Sequence, residues 1–315
     1  MRTMRQKNLV LGLVLFGVAA MILLRYVADV PDGLYDIFVR GLPAVLVFTG
    51  LSVILKNRVP LSNLIALGVS LLIVVVLAFI AYSNQSGEIR DDQQVIINEA
   101  IPESVSLLII EISTLETEVE VRAGDSLEDG ITGEFLGSTE STITSNLSYE
   151  EGADRATYSF REEKNNQFPL LNAIGRGTLN LFIPPDIPVA ITFIGLDGNT
   201  LFDMSSLSLE RVGLESTSGD VVVTLPEYEP LSPNAADQPG IIIVNNGNLN
   251  IIVPETAGAR FELTPQSITP TYPQENHLFL VGGVLETRDF EDAEIQLRYR
   301  ATVPNGQATI SNIVE

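Results

Sequence analysis

The chain has 315 residues, 45% of them hydrophobic, yet its 18 basic and 40 acidic side chains give it a formal charge of −22. Residues 1–83 hold seven Lys/Arg against three Asp, a net of +4, and residues 84–315 hold 11 against 37, a net of −26. An acidic stretch of that size repels phosphate backbones and so argues against nucleic-acid binding. The absence of cysteine excludes disulfides, thiol chemistry, Cys-ligated zinc and a lipoprotein anchor.

Residues 1–83 read as three transmembrane α-helices, near 8–28, 35–55 and 61–82. Asn8–Leu24 is an uncharged run behind Arg2, Arg5 and Lys7, Gly41–Leu55 is a second, and Leu61–Tyr82 is a third. About 20 apolar residues cross a bilayer core as a helix. The second run reaches that length only if it begins near Tyr35, which sets Asp36 and Arg40 at one interface; Pro43 then falls in the first turn, where it does no damage. The basic start and apolar middle of the first run resemble a signal peptide, but two further apolar runs follow without a persuasive cleavage site. It reads as a retained signal anchor.

Basic residues in short loops favour the cytoplasmic side. The N-terminus and the loop Lys56-Asn57-Arg58-Val59-Pro60 are basic, whereas Tyr26–Asp36 is acidic. Three spans therefore place the C-terminal domain outside the cell membrane. Were the second run not to cross, that domain would lie in the cytoplasm.

Residues 84–103 are polar and read as a linker, and 104–315 as an acidic β-repeat domain. Short β-branched runs alternate with Gly, Pro, Asn and Asp, and no long 3.6-residue period appears. Thr117–Val121 and Glu294–Arg300 alternate as half-buried strands do. Gly177–Pro184, Gly219–Pro226 and Gly247–Pro254 each have the form Gly-x-φ-x-φ-x-φ-Pro, where φ is apolar. The apolar residues two, four and six after each glycine fall on one strand face. The alternation resumes at Val189, Ile191 and Phe193, and again at Ala259, Phe261 and Leu263.

Starts separated by 42 and 28 residues predict a solenoid-like stack of short strands with unequal rungs. The alternative is a β-sandwich whose hairpins use Gly-Asp and Gly-Asn turns. Ser205–Leu209, with Val212 and Leu214, would supply intervening strands, and residues 288–315 a capping end.

Together these segments resemble a known family arrangement. Arg40-Gly41-Leu42-Pro43-Ala44-Val45-Leu46-Val47-Phe48-Thr49-Gly50-Leu51, followed by basic Lys56 and Arg58, is similar to the membrane region of LiaF-type bacterial envelope-stress proteins. The three glycine units resemble the β-repeats of "putative adhesin" and LiaF C-terminal domains. Glu111–Val121 followed by Gly133-Glu134-Phe135 is similar to the opening of "toast-rack" β-domains. The resemblance implies a non-catalytic accessory protein in the cell-envelope stress response. Its expected partners are the lipid bilayer and a membrane sensor histidine kinase or another envelope protein, and homo-oligomerisation stays open. The alternative function is a structural or adhesive cell-surface module that binds glycan or protein.

No catalytic, cofactor or metal-binding residue is nominated. A serine triad would depend on His277, the single histidine, and no Gly-x-Ser-x-Gly elbow is present. Gly175-Arg176-Gly177 does not continue into a dinucleotide fingerprint, and no Walker loop occurs. Asp125–Gly130 and Asp197-Gly198-Asn199 offer oxygen ligands without the spacing of a calcium loop. Glu162-Glu163 and Phe290-Glu291-Asp292 read as surface charges. Among 37 acidic residues, no pair stands out as a glycosidase dyad. Tyr228 and Tyr272 are the candidates for exposed aromatics on an adhesive face.

Overall fold

A computed structural model describes residues 86–125, 130–149, 154–164, 173–226, 239–254, 256–264, 278–281, 284–288 and 290–312, together with Gly68, Val69, Leu72, Val75, Val76 and Phe79. The first two apolar runs, His277, Tyr228 and Tyr272 lie outside these residues, as does most of Asp125–Gly130. The six residues from the third run are helical, and among the described residues no helix is long and apolar enough to cross a membrane.

From Ile89 onward, residues 165–175 apart, the chain forms one β-rich body. Its strands begin with β1 (Gln93–Glu99), β2 (Leu107–Ala123), β3 (Ile131–Gly137), β4 (Ser141–Tyr149), β5 (Arg155–Lys164) and β6 (Gly177–Ile183). They continue with β7 (Val189–Asp197), β8 (Thr200–Asp203), β9 (Leu209–Ser218), β10 (Val221–Thr224), β11 (Gly240–Asn246) and β12 (Leu249–Val253). The last are β13 (Ala257–Thr264), β14 (Leu278–Val281), β15 (Val284–Thr287), β16 (Ile295–Thr302) and β17 (Ala308–Asn312).

Parallel pairing arranges these strands in two sheets that share β2. In the first, β5, the first half of β2, β7, β9, β11, β16 and β13 lie side by side and parallel. Antiparallel β4 closes one end, and antiparallel β15 and β14 close the other. In the second, β6, the second half of β2, β8, β10, β12 and β17 are parallel, and antiparallel β3 and β1 close the β6 end. Each rung runs along a strand of the first sheet, turns a corner and continues in the second: β7 into β8, β9 into β10, β11 into β12, β16 into β17.

The repeat reads directly in this geometry. The apolar residues of the three glycine units occupy β6, β10 and β12 or their immediate ends, and all nine are buried: Leu179, Leu181, Ile183, Val221, Val223, Leu225, Leu249, Ile251 and Val253. Register aligns Val221 with Leu249 and Val223 with Ile251, so the second and third copies are neighbours in a parallel ladder, while β2 and β8 stand between them and the first copy in β6; the Gly-Asp and Gly-Asn corners link sheets rather than hairpin strands. The gap of 42 residues hides a further rung. Gly198 turns it, 21 residues after Gly177 and 21 before Gly219, with Thr200 in place of the first apolar residue and no closing proline.

Several segments differ from the sequence reading. The stretch read as linker contributes β1, which pairs with β3 over its whole length. Ser205–Ser208 is not a strand; it makes the turn before β9, with Leu207 buried. Residues 288–315 do not end the first sheet, because β16 inserts between β11 and β13. The rung of β5 and β6 likewise stacks on the far side of β2 from β7 and β8. Order along the stack therefore departs from order along the chain at both ends.

Between the sheets lies a continuous apolar core. Phe193 meets Phe202 edge-on at 5.3 Å across the corner, Phe135 meets Phe160 at 5.9 Å, and Phe261 stacks on Tyr299 at 6.1 Å. Each fully buried aliphatic side chain in such a core contributes about 1.5–3 kcal/mol. Tyr158 is fully buried, with its hydroxyl 3.0 Å from Ser145 Oγ, and burial pushes its phenol up to about 12. Burial also raises the phenol of Tyr299 well above its ordinary value.

Candidate functional site

The corners fix how the outer faces are presented. Gly198, Gly219 and Gly247 have φ of 139°, 113° and 151°, a region that side chains with a Cβ rarely enter. A Cβ at Gly219 would lie 2.2 Å from the Gly198 carbonyl oxygen, and one at Gly247 would lie 2.0 Å from that of Gly219. Next to this column runs a ladder of side chains. Asn199 Oδ1 accepts the Asp220 N–H at 3.1 Å, Asp220 Oδ1 accepts the Asn248 N–H at 2.8 Å, and Asn248 Oδ1 accepts the Gln307 N–H at 3.2 Å. Each rung is thereby tied to the next at the same level.

The β2 corner has no glycine, and Glu162 of β5 does the work instead. Its Oε2 accepts the Leu115 N–H at 2.8 Å, the Glu116 N–H at 3.3 Å and the Thr117 hydroxyl at 2.7 Å, while Oε1 accepts the Ser141 hydroxyl at 2.9 Å. Glu162 is 3% exposed, which corrects its reading as a surface charge. A buried carboxylate persists only when donors surround it, and four do here. The signal available in sequence was its place at an inward position of alternating β5, where Ala156, Tyr158 and Phe160 precede it.

Two adjoining shallow hollows, about 420 and 480 Å³, open on the outer face of the second sheet. The first is lined by Glu118, Glu120, Thr178, Asn180, Asn199, Leu201, Asp220 and Val222 among others, and the second by Glu120, Thr132, Gly133, Glu134, Asn180 and Phe182. Glu120 and Asn180 belong to both. Register explains the grouping: Glu134, Asn180, Glu120, Leu201, Val222 and Asn250 stand at one level on six adjacent strands. At about 4.8 Å between strands, the row from Glu134 to Val222 extends roughly 19 Å.

The lining combines carboxylates and amides with an aliphatic floor and one exposed ring. Phe182 is 41% exposed. Glu134 accepts from the Gln94 amide, Glu120 pairs with Arg122, and Asp220 accepts from Asn248. The side chain of Glu118 has no hydrogen-bond or ion-pair partner among the described residues. No lining residue of either hollow is cationic. Asn250 Oδ1 is buried without a partner among the described residues.

The other sequence candidates do not assemble into a site. Asp197 is held by Arg176, whose Nη2 donates to Oδ1 at 3.0 Å and Oδ2 at 3.1 Å, and Asn199 serves the ladder, so Asp197-Gly198-Asn199 is corner structure. Glu291 pairs with Arg260 at 2.8 Å beside buried Phe290, and Arg260 lies 4.2 Å over that ring. Among the described residues, no group of three or more His, Asp or Glu is placed to hold a metal ion. Sequence reading missed the hollows because their lining comes from five strands and two corners with no shared motif.

No family model matches the chain, and none of the curated proteins matches it. Among solved structures, a "putative cell adhesion protein" from Clostridium sporogenes is similar, with a TM-score of 0.56 at 11% identity over 70% of this chain and 99% of its own. A "putative adhesin" from Bacteroides fragilis aligns at 9% identity over 72% of this chain and 100% of its own, with a TM-score of 0.23, too low to carry an argument. The first likeness is one of fold alone: the mostly-β body shares the architecture of that protein.

Proposed function

We propose that this chain is a non-catalytic, membrane-tethered β-module displayed on the outer side of the cell membrane, and that it binds its partner through the outer face of the second sheet. The observation that carries the reading is the pair of hollows that share Glu120 and Asn180 on register-aligned strands. A face held by a stack of parallel rungs is rigid, and rigidity lowers the entropic cost of binding. The hollows are shallow and open to water, which suits recognition better than chemistry that depends on excluding water. The fold of the Clostridium sporogenes protein, with the adhesive role in its name, supports display at a surface. The basic ends of the apolar N-terminal runs support tethering with the β-body outside.

The test has two parts. Paired reporters fused after Glu315 should report an extracytoplasmic C-terminus, and a cytoplasmic one would overturn display. Asn180→Trp, which fills both hollows from a strand position with an outward side chain, should abolish attachment of cells to their partner surface while leaving thermal unfolding unchanged. Undiminished attachment would remove the face from the proposal.

A second reading makes the same module an accessory regulator of a membrane sensor kinase in the cell-envelope stress response. It is favoured by the resemblance of Arg40–Leu51 to LiaF-type membrane segments. Co-purification of the full chain with a histidine kinase, lost on replacing residues 1–83 by an unrelated anchor, would support it.

A further inference from the structure

Resting on the binding face proposed above, we infer that the hollows take a glycan bearing free amino groups, a polymer rich in glucosamine-type rather than N-acetylated units. Charge complementarity chooses the sign of the ligand. Glu118, Glu120, Glu134 and Asp220 line the hollows, Arg122 beside them answers Glu120 alone, and the Glu118 side chain has no partner among the described residues, so the lining keeps an excess of negative charge. The body around them belongs to a stretch with a net charge of −26, so anionic polymers are repelled and cationic ones drawn in.

Shape and surface chemistry choose a sugar over a basic peptide. Peptides commonly join a sheet at its edge through backbone hydrogen bonds. The hollows instead lie on the face of central strands whose backbone groups are already paired on both sides, so only side chains are presented. Those side chains are planar amides and carboxylates, suited to vicinal hydroxyls, beside the exposed Phe182 ring, suited to the apolar face of a pyranose. Glu134 and Glu120 stand two strands apart, about 9.6 Å, close to the span of a disaccharide in an extended chain.

Binding of a glucosamine hexamer to the full chain in nanodiscs, measured by calorimetry, tests this against two competitors: the N-acetylglucosamine hexamer and an oligolysine of equal charge. The glucosamine hexamer should bind at least tenfold more tightly than its N-acetylated counterpart and more tightly than oligolysine, and should weaken as salt rises. Glu118→Gln removes a charge that no described protein group uses, so it should weaken binding about fivefold without changing thermal unfolding. Glu215→Gln, exposed on the outer face of the first sheet, should change nothing. Equal affinity for the two hexamers, preference for oligolysine, or indifference to Glu118→Gln would overturn the inference. If no hexamer binds but Asn180→Trp still abolishes cell attachment, the face stands and the amino-sugar assignment falls. If attachment survives Asn180→Trp, the face itself is at fault.

Discussion

The two sheets are joined by the same corner turned in two different ways. Four rungs turn it with glycine, packed so tightly that Gly306, Gly247, Gly219 and Gly198 follow one another with no room for a Cβ. At β2 the chain runs on as one strand of 17 residues, and a carboxylate from the neighbouring rung gathers its N–H groups. The difference lies in the neighbour. Beside a glycine corner stands another corner whose carbonyl can accept: Gly219 N–H donates to Asn246 O at 2.9 Å, and Gly198 N–H to Ser218 O at 3.2 Å. Beside the β2 corner, on the β5 side, Glu162 supplies acceptors with its side chain. Backbone repetition is one route to a satisfied corner, and a single buried charge is another.

Breaking the glycine column should have the largest effect. Gly219→Val puts a branched side chain at φ 113° against a carbonyl 2.2 Å away, and should cost about 4 kcal/mol or more. Urea unfolding should lose its cooperative transition; a fall of less than about 1 kcal/mol would show that the column can shift to make room. Glu162→Leu, which strands three backbone or hydroxyl donors at the β2 corner, should cost about 3 kcal/mol, with Glu162→Gln intermediate. A neutral outcome for the leucine variant would mean that the β2 corner needs no side-chain acceptor.

Alkaline unfolding separates the interior from both corners. The unfolded phenol of Tyr158 ionises near 10.0 and the folded one near about 12, so the native state keeps a proton that the unfolded state releases in between. Stability should hold below pH 10 and fall from pH 10 toward 12, by on the order of 2 kcal/mol from this residue. Tyr158→Phe should flatten that decline. Tyr299→Phe should flatten it further, since its folded phenol is raised in the same direction. The smallest effect belongs to the ladder: Asp220→Ala removes one exposed acceptor, and should cost about 1 kcal/mol by thermal unfolding.

How much of this could be read in advance varied with the kind of interaction. Period-two alternation and three glycine units disclosed the β class, the inward residues and the pairing of the second and third copies, because all of these depend on contacts within one strand or between identical positions. The rung turned at Gly198 was hidden, since Thr200 fills a buried position that the pattern expects to be apolar. Glu162 was misjudged because a carboxylate reads as surface until its donors are known, and those come from β2 and Ser141, 21 to 47 residues away. The hollows left no local trace at all.

Sequence alone therefore determined the division into an apolar basic N-terminal stretch and an acidic β-rich remainder, together with which face of each repeat strand turns inward. These follow from composition and a period of two residues, which every strand obeys by itself. Only the tertiary structure decided the stacking order, with β5 and β6 displaced to the far side of β2 and β16 inserted before β13. It also decided which outward residues meet across strands to line the hollows. Pairing order is a global choice, set by how whole rungs share hydrogen bonds and core, and no single stretch of chain contains it.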